Sequence, residues 1–360
     1  MQEVSQLMKR ILVIQQKMIG DVLLSSILCN NLRKAYPDAE IDYLVHEHTI
    51  PVLAGNPNIS RIIPFPRPAQ ESAFRLLAFA FGIRAQRYDL LIDAYSKLES
   101  WIITALSGAG RKISYKKKGR EFLYTDCVPV LETAASNLGL AIERRLSLLS
   151  PLNLRIAVDP IPRLFVSSDE KLHAASLFET HGLNNGKKNL MVSVAGSEPA
   201  KTYPADYMAA LLDIISDTGR FNMLFNYLPS QEAFAHEVFE RCRKTTQQQI
   251  YFGLHAASLR EFIAIMSCCD GIFGNDGGAI NMAKALDKPA FTIYSPWIEK
   301  EVWATLEDGK RFVSVHLKDY CFAPYRNAKP PDLKKQAALY YRKFYPQLFM
   351  DSVSRFAREI

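Results

Sequence analysis

The chain carries an aspartate at a position where a carboxylate could act as a general base. Asp21 ends the loop Lys17-Met18-Ile19-Gly20-Asp21, which joins an apolar run to a segment with helical spacing. Gly20 lets the backbone turn tightly beside an acceptor, and the carboxylate next to it could take the proton of a hydroxyl group. Asp is also a common helix N-cap, so the loop by itself leaves both roles open. It lacks the GxGxxG motif of dinucleotide-dependent oxidoreductases.

A second loop, Gly274-Asn275-Asp276-Gly277-Gly278, has the composition of an anion-binding turn. Glycines at the start of a predicted helix let a ligand approach the backbone, and the free N–H groups and dipole of the helix attract negative charge. A diphosphate suits this place, with Asn275 beside it. Asp276 disfavours a bare phosphate unless its carboxylate caps the helix or contacts sugar hydroxyls. An ordinary strand-to-helix turn is the alternative.

A third loop, residues 195–204, places a lysine between a strand end and a helix start. Lys201 could pair with a departing diphosphate, and Ser197 could add a hydroxyl donor. A lysine on a turn is more often solvated, which is the alternative interpretation.

Basic residues are concentrated after the first four predicted strands. The functional interpretation is a docking patch for a phosphorylated, anionic acceptor; a solvated loop and a nucleic-acid contact are the alternatives. Besides Gly20, the residues that we predict to bind the acceptor are Arg111, Lys112 and Arg120. The apolar segment Phe74–Ile83, flanked by arginines, could rest on a bilayer surface, although its composition favours a buried helix.

Length and composition predict a two-domain enzyme of the cytoplasm. The 360 residues exceed the roughly 250–300 that one core usually holds, and 22% are charged, with a formal net charge of +7 that favours anionic partners. The six cysteines form no CxxC pair, which suits a reducing compartment. His46 and His48 have no ligand cluster beside them, so we predict no metal site. We expect neither a signal peptide nor a membrane span.

Strands and helices alternate through both halves of the chain, which predicts parallel sheets with helices on both faces. The proline-containing segment Asp159–Arg163 is the predicted hinge. We therefore expect a first domain over 1–162, a second over 163–333, and a C-terminal helical segment, 334–360, that crosses back to the first. The predicted strands are Arg10–Gln16, Glu40–Val45, Ile59–Pro64, Asp89–Asp93, Lys188–Ala195, Asn222–Asn226, Gly271–Gly274 and Pro289–Tyr294.

Four segments, in order, resemble glycosyltransferase family 9, the ADP-heptose:lipopolysaccharide heptosyltransferases. The chain opens with ILVIQQKMIGDVLLSSILCNNLRKAYPDAEIDYLV and continues with YDLLIDAYSKLESWIITALSGAGRKISY. The third segment is VAGSEPAKTYPADYMAALL, and the fourth is SLREFIAIMSCCDGIFGNDGGAINMAKALDKPAFTIYSP. The resemblance covers residues from about 10 to 296, and four ordered motifs are much more specific than one.

The resemblance implies a GT-B architecture, in which two Rossmann-like domains face each other across a central cleft. It implies an ADP-sugar donor held mainly by the second domain, and inversion at the anomeric carbon without a required metal or other cofactor. Asp21 matches the catalytic aspartate of the family and Lys201 the lysine that meets the donor phosphate. The family pattern departs at Gly277, where a serine is usual, and at Asn281, where a histidine is usual. The donor-binding positions that match are Asp276, Gly277 and Gly278, with Glu232 near a residue that contacts the ribose.

We therefore predict an inverting glycosyltransferase that moves a sugar, heptose by resemblance, from an ADP-sugar to a lipopolysaccharide core or a related lipid-linked glycan. Transfer from a different nucleotide-sugar and non-catalytic binding of sugar nucleotides by the same fold are the alternatives. The predicted location is the cytoplasm, with peripheral contact to the inner membrane. Nucleic acid is not an expected partner.

Overall fold

The central strands are short apolar segments that are buried on both faces. β1 (Arg10–Ile14) is buried from Ile11 to Ile14, as its unbroken apolar run predicts for a strand with helices on both sides. The computed structural model describes residues 8–321, 323–325 and 330–360. The chain divides into two units between Phe165 and Val166, and each unit has one six-stranded parallel sheet.

In the first unit the strand order reverses beside β1. The further strands are β2 (Glu40–His46), β3 (Arg61–Phe65), β4 (Leu90–Asp93), β5 (Arg111–Tyr115) and β6 (Asp126–Val128). Their order across the sheet is β3-β2-β1-β4-β5-β6. The chain thus moves outward from β1 to one side and then returns to fill the other side. Such a reversal opens a crevice at the carboxyl ends of the two strands that flank it, here β1 and β4.

Helices cover both faces of this sheet. They are α1 (Ile19–Ala35), α2 (Arg67–Glu71), α3 (Ala73–Ala85), α4 (Leu98–Leu106) and α5 (Leu140–Ser147). Residues of α3 and α4 pack in one core cluster with strand residues such as Leu12 and Leu91. α1 begins three residues earlier than the predicted Val22, so it includes Asp21 in its first turn.

The second unit has the same topology as the first, and its strand order reverses beside its own first strand, β7. The strands are β7 (Lys188–Ser193), β8 (Phe221–Asn226), β9 (Ile250–Tyr251), β10 (Gly271–Asn275), β11 (Ala290–Ile293) and β12 (Phe312–Val315). Their order is β12-β11-β10-β7-β8-β9. The crevice expected from this reversal lies at the carboxyl ends of β7 and β10.

The helices of the second unit include three that form the C-terminal segment. They are α6 (Ser168–Thr180), α7 (Ala205–Ser216), α8 (Glu232–Arg241), α9 (Lys244–Gln247), α10 (Leu259–Cys268), α11 (Gly278–Ala285), α12 (Lys300–Trp303), α13 (Pro330–Lys335), α14 (Ala337–Lys343) and α15 (Met350–Glu359). Among the described residues, no helix combines the length and the apolar character that crossing a membrane requires.

The predicted α/β class with two Rossmann-like halves is confirmed, but one part of the domain prediction is wrong. Segment 334–360 does not join the first unit, because α15 buries Val353 and Phe356 in the core of the second. The Arg220 guanidinium also donates to a carbonyl in the last turn of α15, with 2.9 Å from its Nη1 to Ala357 O, and to Ile360 O just after the helix, at 2.7 Å from its Nη2. Arginine in this position satisfies carbonyl groups that have no partner within a helix. The observed division follows Phe165, three residues after the predicted boundary at 162.

Phe356→Ala should lower the free energy of unfolding of the second unit by about 3–5 kcal/mol, the usual cost of truncating a buried phenylalanine. Phe356 is 1% exposed and packs on Phe291, with ring centroids 5.5 Å apart. Met350→Ala on the same helix is the matched control, because Met350 is 41% exposed. Urea denaturation measures both. Equal effects of the two substitutions would contradict the packing of α15 described above.

Candidate functional site

The loop after β1 places Asp21 inside α1 rather than at its cap. The N-cap is Met18, which adopts the left-handed region with a φ of 64° and makes no side-chain cap bond. Asp21 is the third residue of the helix, and its side chain bonds elsewhere. The N-cap alternative for Asp21 is therefore wrong, and Gly20, the second residue, lies at the same carboxyl edge of the sheet.

An arginine from α5 holds the Asp21 carboxylate. Arg145 Nη2 lies 2.5 Å from Asp21 Oδ1, and Arg145 is itself fixed by bonds from Nε to Ser25 Oγ (2.8 Å) and from Nη1 to Ala141 O (2.7 Å). Asp21 Oδ2 has no hydrogen bond to any residue that the structure describes. One carboxylate oxygen is thus used for orientation, and the other remains able to accept a proton.

Sequence reasoning did not identify Arg145, although the sequence contains a signal for it. Arg145 lies on the buried face of α5, together with Ala141 and Ile142. Arginine is almost never fully buried unless it is paired, so an arginine at an apolar helical position predicts a carboxylate partner. The sequence does not show which carboxylate that is, because the two residues are 124 positions apart.

A second carboxylate, that of Asp93 at the end of β4, stabilises the loop at the edge of the crevice. Asp93 is fully buried and accepts hydrogen bonds from the Tyr124 hydroxyl (2.7 Å), the Ser100 hydroxyl (2.8 Å) and the Ser96 amide (2.7 Å). Burial raises the pKa of Asp93, while these donors act in the opposite direction. Asp93 therefore fixes the loop from β4 to α4, next to the loop of Asp21.

Buried polar atoms without partners lie at the same edge. The side-chain amide of Gln16 and Nε2 of the His46 ring make no hydrogen bond among the described residues. The backbones of the two residues are paired, because the backbone N–H of His46 donates to Gln16 O at 3.0 Å. Burial, followed by nearby Lys17, lowers the pKa of His46 to about 4. Such groups are uncommon away from functional sites, because leaving them unpaired costs free energy.

Two of the four predicted acceptor-binding residues lie at the wrong edge of the sheet. Arg111 and Lys112 begin β5 and pair in register with Leu90 and Leu91, so they lie at the amino edge, opposite Asp21. Arg111 is moreover bound to Asp126 by two bonds of 3.0 Å. The acceptor assignment of Arg111 and Lys112 is therefore wrong, because both residues open strand β5 and do not lie in the loop that follows it.

Arg120 follows β5 and lies on the carboxyl side of that strand. Its guanidinium carbon is 4.5 Å from the centre of the Trp101 ring, a cation–π arrangement that orients the cation. Neighbouring Lys117 donates from Nζ to Ser96 O at 2.8 Å. Arg120 thus remains a predicted acceptor-binding residue.

In the second unit, Asn275 ties the two predicted donor loops together. Its Nδ2 donates to Ser193 O (3.0 Å) and Val194 O (2.9 Å), and its Oδ1 accepts from the Tyr203 amide (2.8 Å). The side chain is completely buried. The predicted donor contact of Asn275 is therefore replaced by a positioning role, since both ends of its amide are bonded to the protein.

Two glycines, Gly274 and Gly196, allow close backbone contacts within and between the two predicted donor loops. A Cβ on Gly274, which has a φ of +130°, would lie 2.4 Å from Ser193 O, and a Cβ on Gly196 would lie 2.3 Å from Lys201 O. Gly277 differs, because a Cβ there would meet nothing within 4 Å and its φ of 173° is extended. Gly274 and Gly196 are required by packing, whereas Gly277 leaves open space before α11.

Lys201 and Asp276 lie near each other at this edge. Burial raises the pKa of Asp276, and the positive charges of Lys201 and Lys284 oppose that rise. The Lys201 backbone is held through the preceding carbonyl, because Ala200 O accepts from Ser295 Oγ (2.6 Å) and Trp297 Nε1 (3.0 Å). Lys201 Nζ is 5.4 Å from the centre of the Trp297 ring. Sequence reasoning missed Trp297, which directly follows the last matching segment.

The remaining predicted donor residues lie at the same edge, where Ser197 and Glu232 are exposed and Gly278 is half-buried. Ser197 lies in the loop after β7, Glu232 is the first residue of α8 after β8, and Gly278 is the first residue of α11 after β10. Gln231 Nε2 bonds to Gly196 O at 2.7 Å and so links the first two loops. β10, β7 and β8 are neighbours, so these loops are adjacent. Among the described residues, no side chain caps α11, whose first amides can therefore bind an anion.

Comparison with known proteins gives consistent matches along the chain. The model of glycosyltransferase family 9 (heptosyltransferase) matches residues 76–326. Lipopolysaccharide heptosyltransferase 2 of Escherichia coli (strain K12) is 27% identical over 299 residues, which cover 80% of this chain and 83% of that protein.

Solved structures show the same fold. The glycosyl transferase family 9 protein of Veillonella parvula DSM 2008 has a TM-score of 0.74 at 18% identity, covering 93% of this chain and 98% of that one. The ADP-heptose LPS heptosyltransferase II of E. coli has a TM-score of 0.68 at 19% identity, covering 93% and 99%.

Arg145→Gln should lower the free energy of unfolding by about 1.5–3 kcal/mol, the usual worth of hydrogen bonds to charged groups. The substitution removes the ion pair and leaves Asp21 in a partly buried place. Arg67→Gln is the control, because Arg67 and Glu71 form an exposed pair four residues apart, worth about 0.3–0.5 kcal/mol. Urea denaturation compares the two. A loss with Arg145→Gln no larger than the control would contradict the role given to the Asp21–Arg145 pair.

Proposed function

The chain belongs to glycosyltransferase family 9 and is a glycosyltransferase, and from this premise we propose that it transfers heptose from ADP-heptose to a lipopolysaccharide-core acceptor. The names of the similar proteins support the sugar, the nucleotide and the acceptor class. The observation that carries the proposal is the Asp21 carboxylate, with one oxygen held by Arg145 and the other uncommitted. A general base needs this combination of fixed position and free proton acceptor.

Asp21 is proposed to take the proton of the acceptor hydroxyl. The acceptor oxygen then forms a bond to the anomeric carbon while the bond from that carbon to the diphosphate oxygen breaks. The bonding electrons leave with ADP, and the proton remains on Asp21. Because attack and departure occur on opposite faces of the sugar, the configuration at the anomeric carbon is inverted. Gly20 and Arg120 are proposed to contact the acceptor.

The second unit is proposed to bind the donor at its carboxyl edge. Lys201 and the backbone amides of Gly277 and Gly278, at the start of α11, would stabilise the negative charge that develops on the diphosphate. This positive charge is supplied by the protein itself, so we propose that no metal ion is required. Ser197 and Glu232 are proposed to bind hydroxyl groups of the donor.

Asp276 is proposed to bind sugar hydroxyls rather than phosphate. A carboxylate next to a diphosphate would repel it, whereas hydroxyl groups donate hydrogen bonds to a carboxylate. Gly277 leaves room beside it where the family usually has a serine. This departure is the specific observation that favours the second candidate, transfer of a different sugar.

The reaction is proposed to occur in the cytoplasm at the inner membrane. All six cysteines are free, which suits a reducing compartment. A lipid-linked acceptor requires peripheral contact with the membrane that holds it.

Asp21→Asn should lower turnover roughly 10²–10⁴-fold, the usual contribution of a general base. Asn has the same shape and can still accept the bond from Arg145, but it cannot take a proton. Initial rates with ADP-heptose and a lipopolysaccharide-core acceptor measure the change. The affinity for ADP should stay the same, because Asp21 is not among the residues proposed to bind the donor.

In the same assay, Arg145→Gln distinguishes loss of the base from loss of the residue that orients it, because this substitution leaves the Asp21 carboxylate in place. Its loss of turnover should be much smaller than that of Asp21→Asn. If Asp21→Asn kept wild-type turnover, the proposed base would be wrong and non-catalytic binding of sugar nucleotides would become the better explanation.

ADP should raise the melting temperature more than UDP or GDP at equal concentration, since a ligand that binds the native state stabilises it. Lys201→Gln should weaken ADP binding roughly 10- to 100-fold, the equivalent of a hydrogen bond to a charged group. Lys187→Gln is the matched control, because Lys187 is exposed and precedes the amino end of β7, the strand whose carboxyl end leads to Lys201. Calorimetric titration gives the affinities. Equal weakening by both substitutions would rule out the proposed diphosphate site.

A further inference from the structure

α3 is apolar on the face that it exposes as well as on the face that it buries. Leu76, Ala80 and Ile83 are buried against the sheet. Phe74, Leu77 and Phe81 are 80%, 42% and 56% exposed. The sequence favours a buried helix here, and that prediction is wrong, because only one side of α3 is covered. A helix that is hydrophobic all round normally has apolar surroundings on every side.

The exposed apolar residues form one continuous stripe. At about 100° per residue, Phe74, Leu77 and Phe81 lie within about 60° of one another around the helix axis. Ala78 and Ala85 widen this apolar stripe to about 100°. Residues placed in this way can enter a flat apolar layer together.

Arginines border the stripe on both sides. In the same projection, Arg84 lies about 20° beyond Leu77 and Arg75 about 60° beyond Ala78. The sequence of α3, AFRLLAFAFGIRA, contains no acidic residue. An apolar stripe bordered by cations is the arrangement of helices that lie in the interface of a membrane.

A cavity of about 650 Å³ lies at the C-terminal end of α3 and is lined by Arg84, Arg87 and Arg111. Two carboxylates also line it, but both are already bonded. Asp126 binds Arg111, and Asp89 accepts from the backbone amides of Lys9 (2.8 Å) and Arg10 (2.9 Å). Among the described residues, Arg84 and Arg87 have no carboxylate partner. Positive charge at this place is therefore available to an external anion.

We propose that the apolar stripe of α3 docks the protein on an anionic lipid bilayer, with Arg84 and Arg87 receiving lipid phosphate groups. Phe74, Leu77 and Phe81 would enter the boundary between headgroups and acyl chains. The arginines would remain at headgroup level, where each basic residue strengthens binding to anionic lipid. This surface lies outside the loops assigned to donor and acceptor, so the inference does not depend on the reaction proposed above.

Charge complementarity favours the bilayer over a second copy of the chain. A twofold contact between two α3 helices would bring the arginines of one copy toward those of the other, with no acidic residue on the helix to pair with them. Like charges brought together in this way oppose association. The formal net charge of +7 likewise favours an anionic surface.

Flotation with vesicles tests the proposal on the full chain. Vesicles of phosphatidylcholine with 30% phosphatidylglycerol should bind the protein, and vesicles of phosphatidylcholine alone should bind it much more weakly. Binding should fall as salt rises, because salt screens the charge attraction. The double substitution Arg84→Gln and Arg87→Gln should weaken binding roughly 25-fold, about fivefold for each arginine.

Phe74→Ser with Phe81→Ser should abolish most vesicle binding while leaving the fold unchanged, because both side chains are exposed. The matched control is Leu172→Ser with Leu339→Ser, two apolar residues of the second unit that are 69% and 55% exposed. It should bind vesicles like the wild type. Circular dichroism checks that each variant is folded.

Two results would overturn the docking proposal. One is wild-type vesicle binding by the phenylalanine variant, which would assign the stripe to a contact between two copies if that variant also lost a dimer. The other is equal binding to neutral and anionic vesicles. Turnover on a water-soluble acceptor separates this proposal from the proposed reaction. Normal turnover with no vesicle binding removes only the docking surface, whereas vesicle binding without turnover supports docking and removes only the reaction.

Discussion

Parallel pairing within each sheet sends the carboxyl ends of all its strands to one edge, and the other features of the candidate site depend on this constraint. Loops from neighbouring strands converge there without long connections, and the reversal of strand order beside β1 and β7 separates them enough to admit a ligand. Asp21 follows β1, and Lys201 follows β7. The two most important predicted residues thus occupy equivalent positions in two repeats of one plan.

Three carboxylates at these edges have different roles because they have different hydrogen-bonding and charged partners. Asp21 has a guanidinium partner at one oxygen and keeps the other uncommitted. Asp93 is fully buried among hydroxyl and amide donors, so it stabilises a loop and has no oxygen left for chemistry. Asp276 is half-buried near two lysines, and its pKa is raised because those cations do not fully offset the lost hydration. The same residue type therefore serves as candidate base, structural brace and candidate ligand for sugar hydroxyls.

The sequence was most informative where function depends on neighbours along the chain. Strand–loop–helix segments could be predicted around Asp21 and around residues 274–278, because apolar runs, glycines and helical spacing are local. Two failures have one cause, namely that strand pairing and long-range charge pairing are not local. Arg111 and Lys112 begin a short strand, and these basic residues obscure the strand pattern in the sequence, although Ile113 and Ser114 are buried. Arg145 meets Asp21 only after α5 packs on α1. Segment 334–360 is helical as predicted, but helical spacing does not show which core the helix joins.

The apolar stripe of α3 has a fixed position relative to the edge that carries Asp21. α3 begins soon after the carboxyl end of β3 and ends near the amino edge, where Arg10 Nη1 donates to Gln86 O at 2.6 Å. Its 13 residues span about 20 Å at 1.5 Å each, close to the roughly 17 Å length of a five-residue strand. A bilayer along the whole stripe therefore runs beside the sheet from one edge to the other. The acceptor proposed above, when anchored in that bilayer, would approach the carboxyl edge by lateral diffusion, with its lipid in the membrane and its sugar at the proposed base, Asp21.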